Sequence, residues 1–447
     1  MLPPPQPKPF SLAIVGGGIG GLCLAVALVH HNVRVHVYEA APAFSEIGAG
    51  VGLGPNALRA MALLDPAILA GYERCQTTNF ASPEEQGRFF NFRYGMEKPS
   101  RDGRMVAGQL ICEVRSGGVT SSVHRARFLN ELVNLMPEGA ASFDKRLVGI
   151  EDEGEEGVLL KFSDGTLAIH DAVVGCDGIK SQVRKLLLGE GHKASEPVFS
   201  GHYCYRGLVP ADKAIEILGE DLATNSQMYL GNHAHVLTTL IEQGKVVNVV
   251  GYRTKEDKRW NDSAWVKPTT KEEMLAKFDG WSRPVKSILG LIEKVDMWAL
   301  FDHLPVATYH RKGKICLLGD SAHASTPHHG AGAGMAVEDA LILSKLLASI
   351  NSAGELESAF SAYDAVRRPR SQRLVASSRK VGDVYNFEDA VIGDDMEAVR
   401  EYLEHAWDWI WNENLDRQLE NAQLLLKMRL KQLPSPEAHS NGVNGGS

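Results

Sequence analysis

The sequence of 447 residues has no hydrophobic run long enough to span a membrane. Its best apolar run, Leu22 to Val29, ends at His30 and His31, whereas a spanning helix needs about 20 apolar residues. The segment Met1 to Phe10 is rich in proline and lacks the apolar core of a secretory signal. The final Gly-Gly-Ser does not match a peroxisomal signal. We therefore expect a cytoplasmic protein that does not contact membranes.

Cysteine and net positive charge are also scarce. The six cysteines lie far apart, form no CxxC pair and have no histidine at metal-ligand spacing, so we expect reduced, buried thiols. The formal net charge is −8, which gives no overall attraction to nucleic acid or anionic lipid. The acidic run from Glu151 to Glu156 is typical of a solvated hairpin tip. The sequence predicts no metal site and no nucleic-acid partner.

The remaining composition is typical of a folded protein larger than one domain. Hydrophobic residues make up 44% of the chain and charged residues 23%, as in ordinary globular proteins, and a single core rarely grows beyond about 300 residues. Residues 1–9 and 434–447 hold too few apolar side chains to pack, and we expect both segments to be disordered.

A strand, turn and helix follow the proline-rich start. Ser11 to Val15 is apolar, Gly18 to His30 reads as a helix, and Val33 to Glu39 alternates as a second strand, which together form a βαβ unit. The turn has the pattern GxGxxG, whose glycines allow a tight bend, close approach to a pyrophosphate and close helix packing. These glycines are Gly16, Gly18 and Gly21. Because Glu39 ends the second strand, where a carboxylate can accept ribose hydroxyls, the unit predicts dinucleotide binding.

Two later segments place a short acidic side chain beside glycine directly after an apolar strand. They are Asp177-Gly178 and Gly319-Asp320. A carboxylate in this position can bond a polyol, and the glycine lets a cofactor pass close. Each motif alone is more often a turn than a site. No second GxGxxG pattern that could hold another dinucleotide is found, so we expect one tightly bound cofactor.

In this order the motifs resemble those of the class A flavoprotein aromatic monooxygenases. The resemblance extends over residues 10 to 385. Five further segments agree with it, namely Glu46 to Gly50, Gly54 to Asn56, His124-Arg125, Tyr205 to Leu208 and Pro327 to Gly334. Within that family the chain is most similar to fungal salicylate hydroxylases and to hydroxylating dearomatases of fungal polyketide pathways. The resemblance implies an α/β fold like that of para-hydroxybenzoate hydroxylase. In it a Rossmann-like FAD-binding domain is interleaved with a β-sheet substrate domain and followed by C-terminal helices.

The resemblance also implies domain boundaries and cofactor contacts. The FAD-binding domain is expected at residues 10–75, 108–195 and 302–355, the substrate domain at 76–107 and 196–301, and the helices at 356–433. The residues implied to hold FAD are Gly16, Gly18, Gly21, Glu39, Gly52, Arg125, Asp320 and Ala333. Asp177 and Gly178 are implied to serve both FAD and a transient donor, NADH or NADPH.

The C-terminal part carries charged and aromatic residues for which we expect structural roles. Glu338 and Asp339 are expected to pair with nearby arginines. These arginines are Arg367, Arg368 and Arg370. Packing or a dimer contact is the expected role of three tryptophans, namely Trp407, Trp409 and Trp411.

For the reaction, the resemblance implies a flavin C4a-hydroperoxide that attacks a phenolate ring. A phenol has a pKa of about 10, so a nearby cation is needed at neutral pH, and Arg206 is the candidate, against a surface or domain-pairing role. His328 and His329 precede a glycine run and could relay a proton, although structural roles are equally common. His235 lies either in the same pocket or on the solvent face of its strand. Arg253 could anchor a substrate carboxylate.

The leading hypothesis is decarboxylative hydroxylation of salicylate to catechol with NAD(P)H and O2. The alternative is hydroxylation or hydroxylating dearomatisation of a fungal polyketide phenol in secondary metabolism. Dearomatase relatives place a tyrosine where this chain has Thr239, which favours the salicylate branch, although some dearomatases lack that tyrosine. A third hypothesis is a flavin-binding redox module or scaffold without hydroxylase activity. The expected partners are a small phenol and O2, with a second copy of the chain as a further candidate.

Overall fold

The computed structural model describes residues 6–44, 50–78, 87–117, 121–189 and 191–433. Residues 1–5 of the predicted leader, the predicted tail 434–447 and the motif residues 46–49 lie outside the described residues. The strands are β1 (Ser11–Val15), β2 (Arg34–Tyr38), β3 (Gly50–Leu53), β4 (Gln76–Thr78), β5 (Arg88–Tyr94), β6 (Leu110–Arg115), β7 (Ser121–His124), β8 (Ala141–Ser142), β9 (Leu147–Asp152), β10 (Val158–Phe162), β11 (Leu167–His170), β12 (Ala172–Gly175), β13 (Val198–Pro210), β14 (Gln227–Gly231), β15 (Ala234–Ile241), β16 (Val246–Thr254), β17 (Val266–Pro268), β18 (Asp296–Asp302), β19 (His310–Arg311) and β20 (Ile315–Leu317).

Helices connect and cover these strands. They are α1 (Ile19–His30), α2 (Pro55–Leu64), α3 (Pro66–Cys75), α4 (Arg125–Val133), α5 (Gln182–Leu188), α6 (Ala211–Leu218), α7 (Glu220–Thr224), α8 (Lys271–Ala276), α9 (Arg283–Gly290), α10 (Asp320–His323), α11 (Gly332–Ser349), α12 (Leu356–Tyr385), α13 (Met396–His405), α14 (Asp408–Trp411) and α15 (Leu415–Leu430). Among the helices of the described ranges, none has both the length and the apolar character that crossing a bilayer requires.

The first sheet contains the predicted βαβ opening. Its order is β19-β20-β12-β1-β2-β8, and β1 runs parallel to both β12 and β2. The segment Leu12 to Val15 is apolar and buried, as expected for a parallel strand covered on both faces. Helices α1 and α11 contribute to the same core. The carboxyl ends of β1, β12 and β20 therefore meet at one edge of the sheet.

The larger sheet is mostly antiparallel, with the order β17-β18-β13-β16-β15-β14-β5-β6. In its centre His235 lies opposite Tyr252, and Tyr252 lies opposite Cys204. Since side chains on paired strands share a face when they are directly opposite, these three residues mark one face of the sheet. The residues next to them in sequence, such as Arg253, point to the other face.

One strand differs from the predicted domain boundaries. β6 lies in the range 108–195, which was expected to belong to the FAD-binding domain, yet it pairs with β5 at the edge of the large sheet. The expected boundary at residue 108 came from the family resemblance, whose motifs lie elsewhere in the chain. The strand β6 instead pairs with β5, the strand that precedes it in the chain. The rest of the domain division stays a prediction.

Helix α12 links the cores of the two sheets, and a buried ion network fixes it to α11. Arg367 donates to Glu338 at 2.7 Å and to Asp339 at 2.8 Å, and Arg370 donates to Glu338 at 2.8 Å. All four side chains are buried. Removing one partner of such a buried network costs about 3–5 kcal/mol. Arg368 does not join it and pairs within α12 instead, so its expected role is corrected.

Several smaller expectations concern packing. Trp407 and Trp411 are buried against Phe89, with ring centroids 5.3 and 5.1 Å away, so both pack within the chain; a dimer contact stays a prediction. Of the six cysteines, all free, Cys176 alone is partly exposed. The acidic residues 151–156 are exposed at the turn between β9 and β10, which confirms the hairpin tip.

Candidate functional site

A cavity of about 430 Å³ lies between the carboxyl ends of the parallel strands and the large sheet. Turns after β1, β12 and β20 bound one side, which is the edge where open α/β sheets bind ligands. We call the part around Gly18–Gly21 and Asp320 the glycine end. The part around Leu237 and Tyr252, with the small cavity beside it, is called the aromatic end.

The predicted GxGxxG turn is formed by backbone atoms in close contact. Gly16 has a φ of 106°, and a Cβ there would overlap the carbonyl oxygen of Cys176. A Cβ on Gly21 would overlap the carbonyl oxygen of Gly16. Only glycine fits at both positions. Gly18 precedes α1 without any side-chain cap, and the turn lines the cavity, so the N-terminus of this helix faces the cavity, where it can bind phosphate groups.

Two of the predicted carboxylates accept hydrogen bonds from groups close to them in the chain. Glu39 accepts hydrogen bonds from the N–H groups of Gly17 at 2.7 Å and Ala41 at 2.8 Å. Asp177 accepts from the Ser181 hydroxyl at 2.5 Å and the Gln182 N–H at 2.7 Å, and burial raises its pKa. Neither carboxylate is among the residues that line the cavity. Their predicted contacts with FAD and with the donor stay predictions.

Other predicted residues do line the glycine end. Gly52 and Gly178 border the cavity, and a Cβ at either would meet no atom within 4 Å, so the absence of their side chains leaves a cradle open. Arg125, Asp320 and Ala333 also line it. Burial lowers the pKa of Arg125, while Asp320 partly offsets this shift. Glycine backbone, a helix N-terminus and side chains of both charges form a set that fits a dinucleotide such as FAD.

Arg206 lies on the cavity face of the large sheet. It lines the main cavity, and its guanidinium carbon is 5.8 Å from the centre of the Trp298 ring. In β13 it is opposite Val250 of β16, which also borders the cavity. A cation at this position is available to a bound anion. The alternative of a surface arginine is not supported by this placement.

A second cavity, of about 40 Å³, adjoins the main one at the aromatic end. The two share part of their walls, and the shared residues are Phe89, Phe90, Leu237, Tyr252, Pro327 and Gly330. The walls of the small cavity alone are Met228, His235, His328, His329 and Tyr385. Aromatic and aliphatic walls with a few polar atoms are typical of a site for a small ring compound.

His235 lies inside the protein and not on the solvent face of its strand. It has no exposed surface, and its ring stacks on Tyr252 with centroids 4.4 Å apart. Its Nδ1 is 2.7 Å from Oδ1 of Asn386, whereas Nε2 is buried and has no hydrogen-bond partner among the described residues. Burial lowers its pKa to about 3. The imidazole is therefore neutral at physiological pH.

His328 and His329 are adjacent in sequence but differ in their surroundings. Both ring nitrogens of His328 are buried without a hydrogen-bond partner in the described part of the chain, and burial lowers its pKa well below the usual value. His329 Nε2 faces the carbonyl of Ala406 at 3.3 Å, and its own carbonyl accepts from Trp407 at 3.0 Å. His328 is thus available for a ligand, whereas His329 has structural contacts.

Arg253 does not reach the cavity, so it cannot anchor a carboxylate there. It lies on the opposite face of β16, donates to the carbonyl of Lys277 and lies over Phe278 with its guanidinium carbon 5.6 Å from the ring centre. The period of two in a strand explains this placement, because Tyr252 beside it faces the cavity. Thr239 does line the main cavity, and its hydroxyl is 2.9 Å from that of Ser226.

The residues of the aromatic end that were not predicted from sequence include Tyr252, Tyr385 and Asn386. The alternation of side chains along β16 places Tyr252 and Arg253 on opposite faces of the sheet. Only one of the two can therefore face the cavity. Tyr385 and Asn386 come at the end of the helix α12, far from any motif. Nothing in the sequence places that helix end against β15.

One group of potential metal ligands lies near this cluster, among the residues described. His202, Asp383 and Glu388 offer ligand atoms that lie within 4.8 Å of one another. Both oxygens of Glu388 already have hydrogen-bond partners, His233 at 2.5 Å and Thr254 at 2.7 Å. We assign no metal to this group, and the absence of a metal site stays a prediction.

Comparisons with known proteins agree with this geometry. A family model described as an FAD binding domain matches residues 10–378. A 6-methylsalicylate 1-monooxygenase of Aspergillus terreus is 42% identical over 417 residues, covering 92% of this chain and 91% of that protein. A salicylate hydroxylase of Pseudomonas putida is 40% identical over 425 residues, covering 92% and 94%. A solved salicylate hydroxylase substrate complex superposes with a TM-score of 0.82 at 34% identity, covering 93% and 98%.

Proposed function

Since the chain belongs to the class A FAD-dependent aromatic monooxygenases of the salicylate hydroxylase type, we propose that its substrate is a single-ring 2-hydroxybenzoate. In the proposed reaction, salicylate, NAD(P)H, O2 and two protons give catechol, NAD(P)+, CO2 and water. The new C–O bond forms at the ring carbon that loses its carboxylate. One oxygen atom of O2 enters the ring and the other leaves as water.

The small cavity carries this proposal. It lies beside the main cavity and is walled by aromatic rings, which suit a planar aromatic substrate. The relatives named for 6-methylsalicylate and salicylate favour a single ring over the fused systems of polyketide phenols. The small cavity also contains Nε2 of His235 and both ring nitrogens of His328, which have no hydrogen-bond partner among the described residues. Buried polar atoms usually have a partner, and the hydroxyl and carboxylate of a 2-hydroxybenzoate would supply it.

We assign FAD to the glycine end. The Gly16–Gly21 turn and the start of α1 would hold its phosphates, and Gly52, Arg125, Asp320 and Ala333 would border the rest. Bound FAD would supply the redox chemistry, taking a hydride from NAD(P)H and activating O2 for transfer to the ring. Glu39 and Asp177 would support the cofactor site, the former beside the turn and the latter through the start of α5.

The residues of the aromatic end would bind and activate the substrate. Phe90, Leu237 and Tyr252 exclude water from the ring, and the neutral imidazoles of His235 and His328 offer hydrogen bonds to its polar groups. Arg206 provides a positive charge that would stabilise the negative charge developing on the phenol oxygen. His329 would shape the wall through its contacts with Ala406 and Trp407, which follow α13.

The test is substrate-dependent oxidation of NADH or NADPH by the purified FAD-bound protein. Salicylate and 6-methylsalicylate should each stimulate oxidation, and carboxyl-labelled substrate should release labelled CO2 in step with catechol formation. Benzoate, which lacks the hydroxyl, is the matched control and should give no product. Bound FAD without any response to either hydroxybenzoate would refute the proposal.

A resorcylic polyketide phenol, supplied in the same assay, distinguishes salicylate hydroxylation from the alternative function in polyketide metabolism. Conversion of that phenol to a dienone or a hydroxylated product, with no CO2 from salicylate, would support a role in polyketide metabolism instead. No nicotinamide oxidation with any phenol would leave the scaffold hypothesis.

A further inference from the structure

A chain of hydrogen bonds runs from Glu388 to His235. The Thr254 hydroxyl lies 2.7 Å from Oε2 of Glu388, and Nδ2 of Asn386 lies 3.0 Å from that hydroxyl. At the other side of the amide, Oδ1 of Asn386 lies 2.7 Å from Nδ1 of His235. Asn386 and His235 have no exposed surface, so water does not compete for the bond between them.

The carboxylate sets the direction of every bond in this chain. An ionised carboxylate can only accept, so the Thr254 hydroxyl donates to Glu388 and its oxygen accepts from the amide of Asn386. The amide oxygen then faces His235, and Nδ1 of that ring must carry the hydrogen. In a neutral imidazole the other nitrogen is an acceptor, and here it is Nε2.

The neighbouring rings restrict how His235 can turn. Tyr252 stacks on it at 4.4 Å, and Tyr385 and His328 contact it edge-on with centroids 5.0 and 5.1 Å away. The acceptor Nε2 has no partner in the described residues, and the ring lines the small cavity. Leaving such an atom without a partner is unfavourable, and a bound hydroxyl would supply the missing partner.

We propose that Glu388, Thr254 and Asn386 are positioning residues that hold His235 with Nε2 as the acceptor for the phenolic hydroxyl of the substrate. This inference rests on the proposed function for the identity of the ligand. The phenol O–H donates a hydrogen bond to Nε2, which increases the electron density of the ring. Full proton transfer to this imidazole is not required, and the bond pattern of the chain stays the same during turnover.

The tautomer of His235 can be measured without substrate. Long-range ¹⁵N–¹H NMR of histidine-labelled protein should show hydrogen on Nδ1 in the wild type and a mixture of tautomers in Asn386→Leu. Hydrogen on Nε2 of wild-type His235 would overturn the proposal. Because this readout needs no turnover, it holds even if the proposed substrate class is wrong.

Kinetics then test the consequence. Asn386→Leu should lower kcat/KM about 10- to 100-fold, the range found when partners behind a functional histidine are lost. Asn386→Asp should recover most of this loss, because its carboxylate still accepts from Nδ1–H. The matched control is Asn225→Leu, since Asn225 is also buried and its amide donates to the carbonyl of Asp221 away from the cavity. Equal kcat/KM in Asn386→Leu and the wild type would contradict the proposal.

Thr254→Val covers the case in which Asn386→Leu does not fold. It removes one hydroxyl, so a smaller loss of about 3- to 10-fold is expected, and Thr254→Ser should restore activity. The same NMR measurement should show a mixed tautomer in Thr254→Val and the Nδ1–H form in Thr254→Ser. Identical His235 tautomers in Thr254→Val and Thr254→Ser would contradict the proposed role of the hydrogen bonds that link Glu388 to His235.

Discussion

The two ends of the cavity are built from different parts of the chain. At the glycine end, backbone from short continuous segments lines the cavity, and Gly16 and Gly21 are needed because a side chain would overlap neighbouring carbonyls. At the aromatic end, side chains from β15, β16, the Pro327–His329 turn and the end of α12 meet. A motif can encode the first kind of site, whereas the second depends on how distant elements pack.

The two ends also differ in charge. Arg125 and Asp320 give the glycine end side chains of both signs, which suits a polar cofactor. Burial keeps the imidazoles of the aromatic end neutral, with the pKa of His235 lowered to about 3 and that of His329 to about 4. Single substitutions should therefore separate cofactor binding from substrate chemistry.

The largest effect is expected from Gly16→Ala. The new methyl group would overlap the Cys176 carbonyl at a φ of 106°, so the turn must move and FAD binding should be lost together with all activity. The measurement is the flavin absorbance that remains with the protein after gel filtration. Gly149→Ala is the control, because a Cβ there meets no atom closer than 3.7 Å. Retention of FAD by Gly16→Ala would contradict the assignment of the cofactor to the glycine end.

The next effect is expected from His328→Leu. This change removes both unpartnered nitrogens from the small cavity and leaves the glycine end intact. FAD content should equal that of the wild type, while kcat/KM for the 2-hydroxybenzoate falls about 100-fold, as for loss of a hydrogen-bonding catalytic group. The control is His310→Leu at the edge of the parallel sheet. Wild-type turnover in His328→Leu would show that the ring only packs.

A third prediction concerns acid. Histidine in the unfolded chain has a pKa of about 6.5, whereas burial lowers the pKa of His202 and His329 to about 4 and that of His235 to about 3. Below pH 6.5 the unfolded chain thus binds more protons, so stability is full above that pH and falls as the pH falls toward 4. Each group should cost about 1 to 1.5 kcal/mol at about pH 5.5.

Urea unfolding at about pH 8 and about pH 5.5 measures this loss. His202→Leu should make the two curves more alike, because both nitrogens of His202 lack a hydrogen-bond partner in the described ranges and leucine does not titrate. Equal stability of the wild type at both pH values would contradict the assignment of neutral buried imidazoles.

The glycine end could be predicted from the sequence to a larger extent than the aromatic end. The βαβ unit, the GxGxxG turn and the strands that carry Arg206 and His235 were evident from periodicity and motifs, since local backbone requirements fix them. The positions of Arg253 and Asn386 were not, because they depend on which face of β16 meets the cavity and on where α12 ends. No sequence motif indicates which face of β16 meets the cavity or where α12 ends. The alternation of β16 predicts the direction of each side chain only after one of its residues is known to face the cavity.

The smallest difference, between Arg206→Met and Arg253→Met, tests the face assignment most directly. Both arginines lie on neighbouring strands of one sheet, but only Arg206 borders the cavity, while Arg253 donates to Lys277 on the other side. Loss of the positive charge that stabilises the phenol oxygen should lower kcat about 10-fold in Arg206→Met, with FAD retained. Arg253→Met should stay within about 2-fold of the wild type, since substitutions away from a site have small effects. Steady-state kinetics with the same hydroxybenzoate give both values. An equal loss in the two variants would mean that both substitutions act through the stability of the sheet, and not through a charge at the cavity.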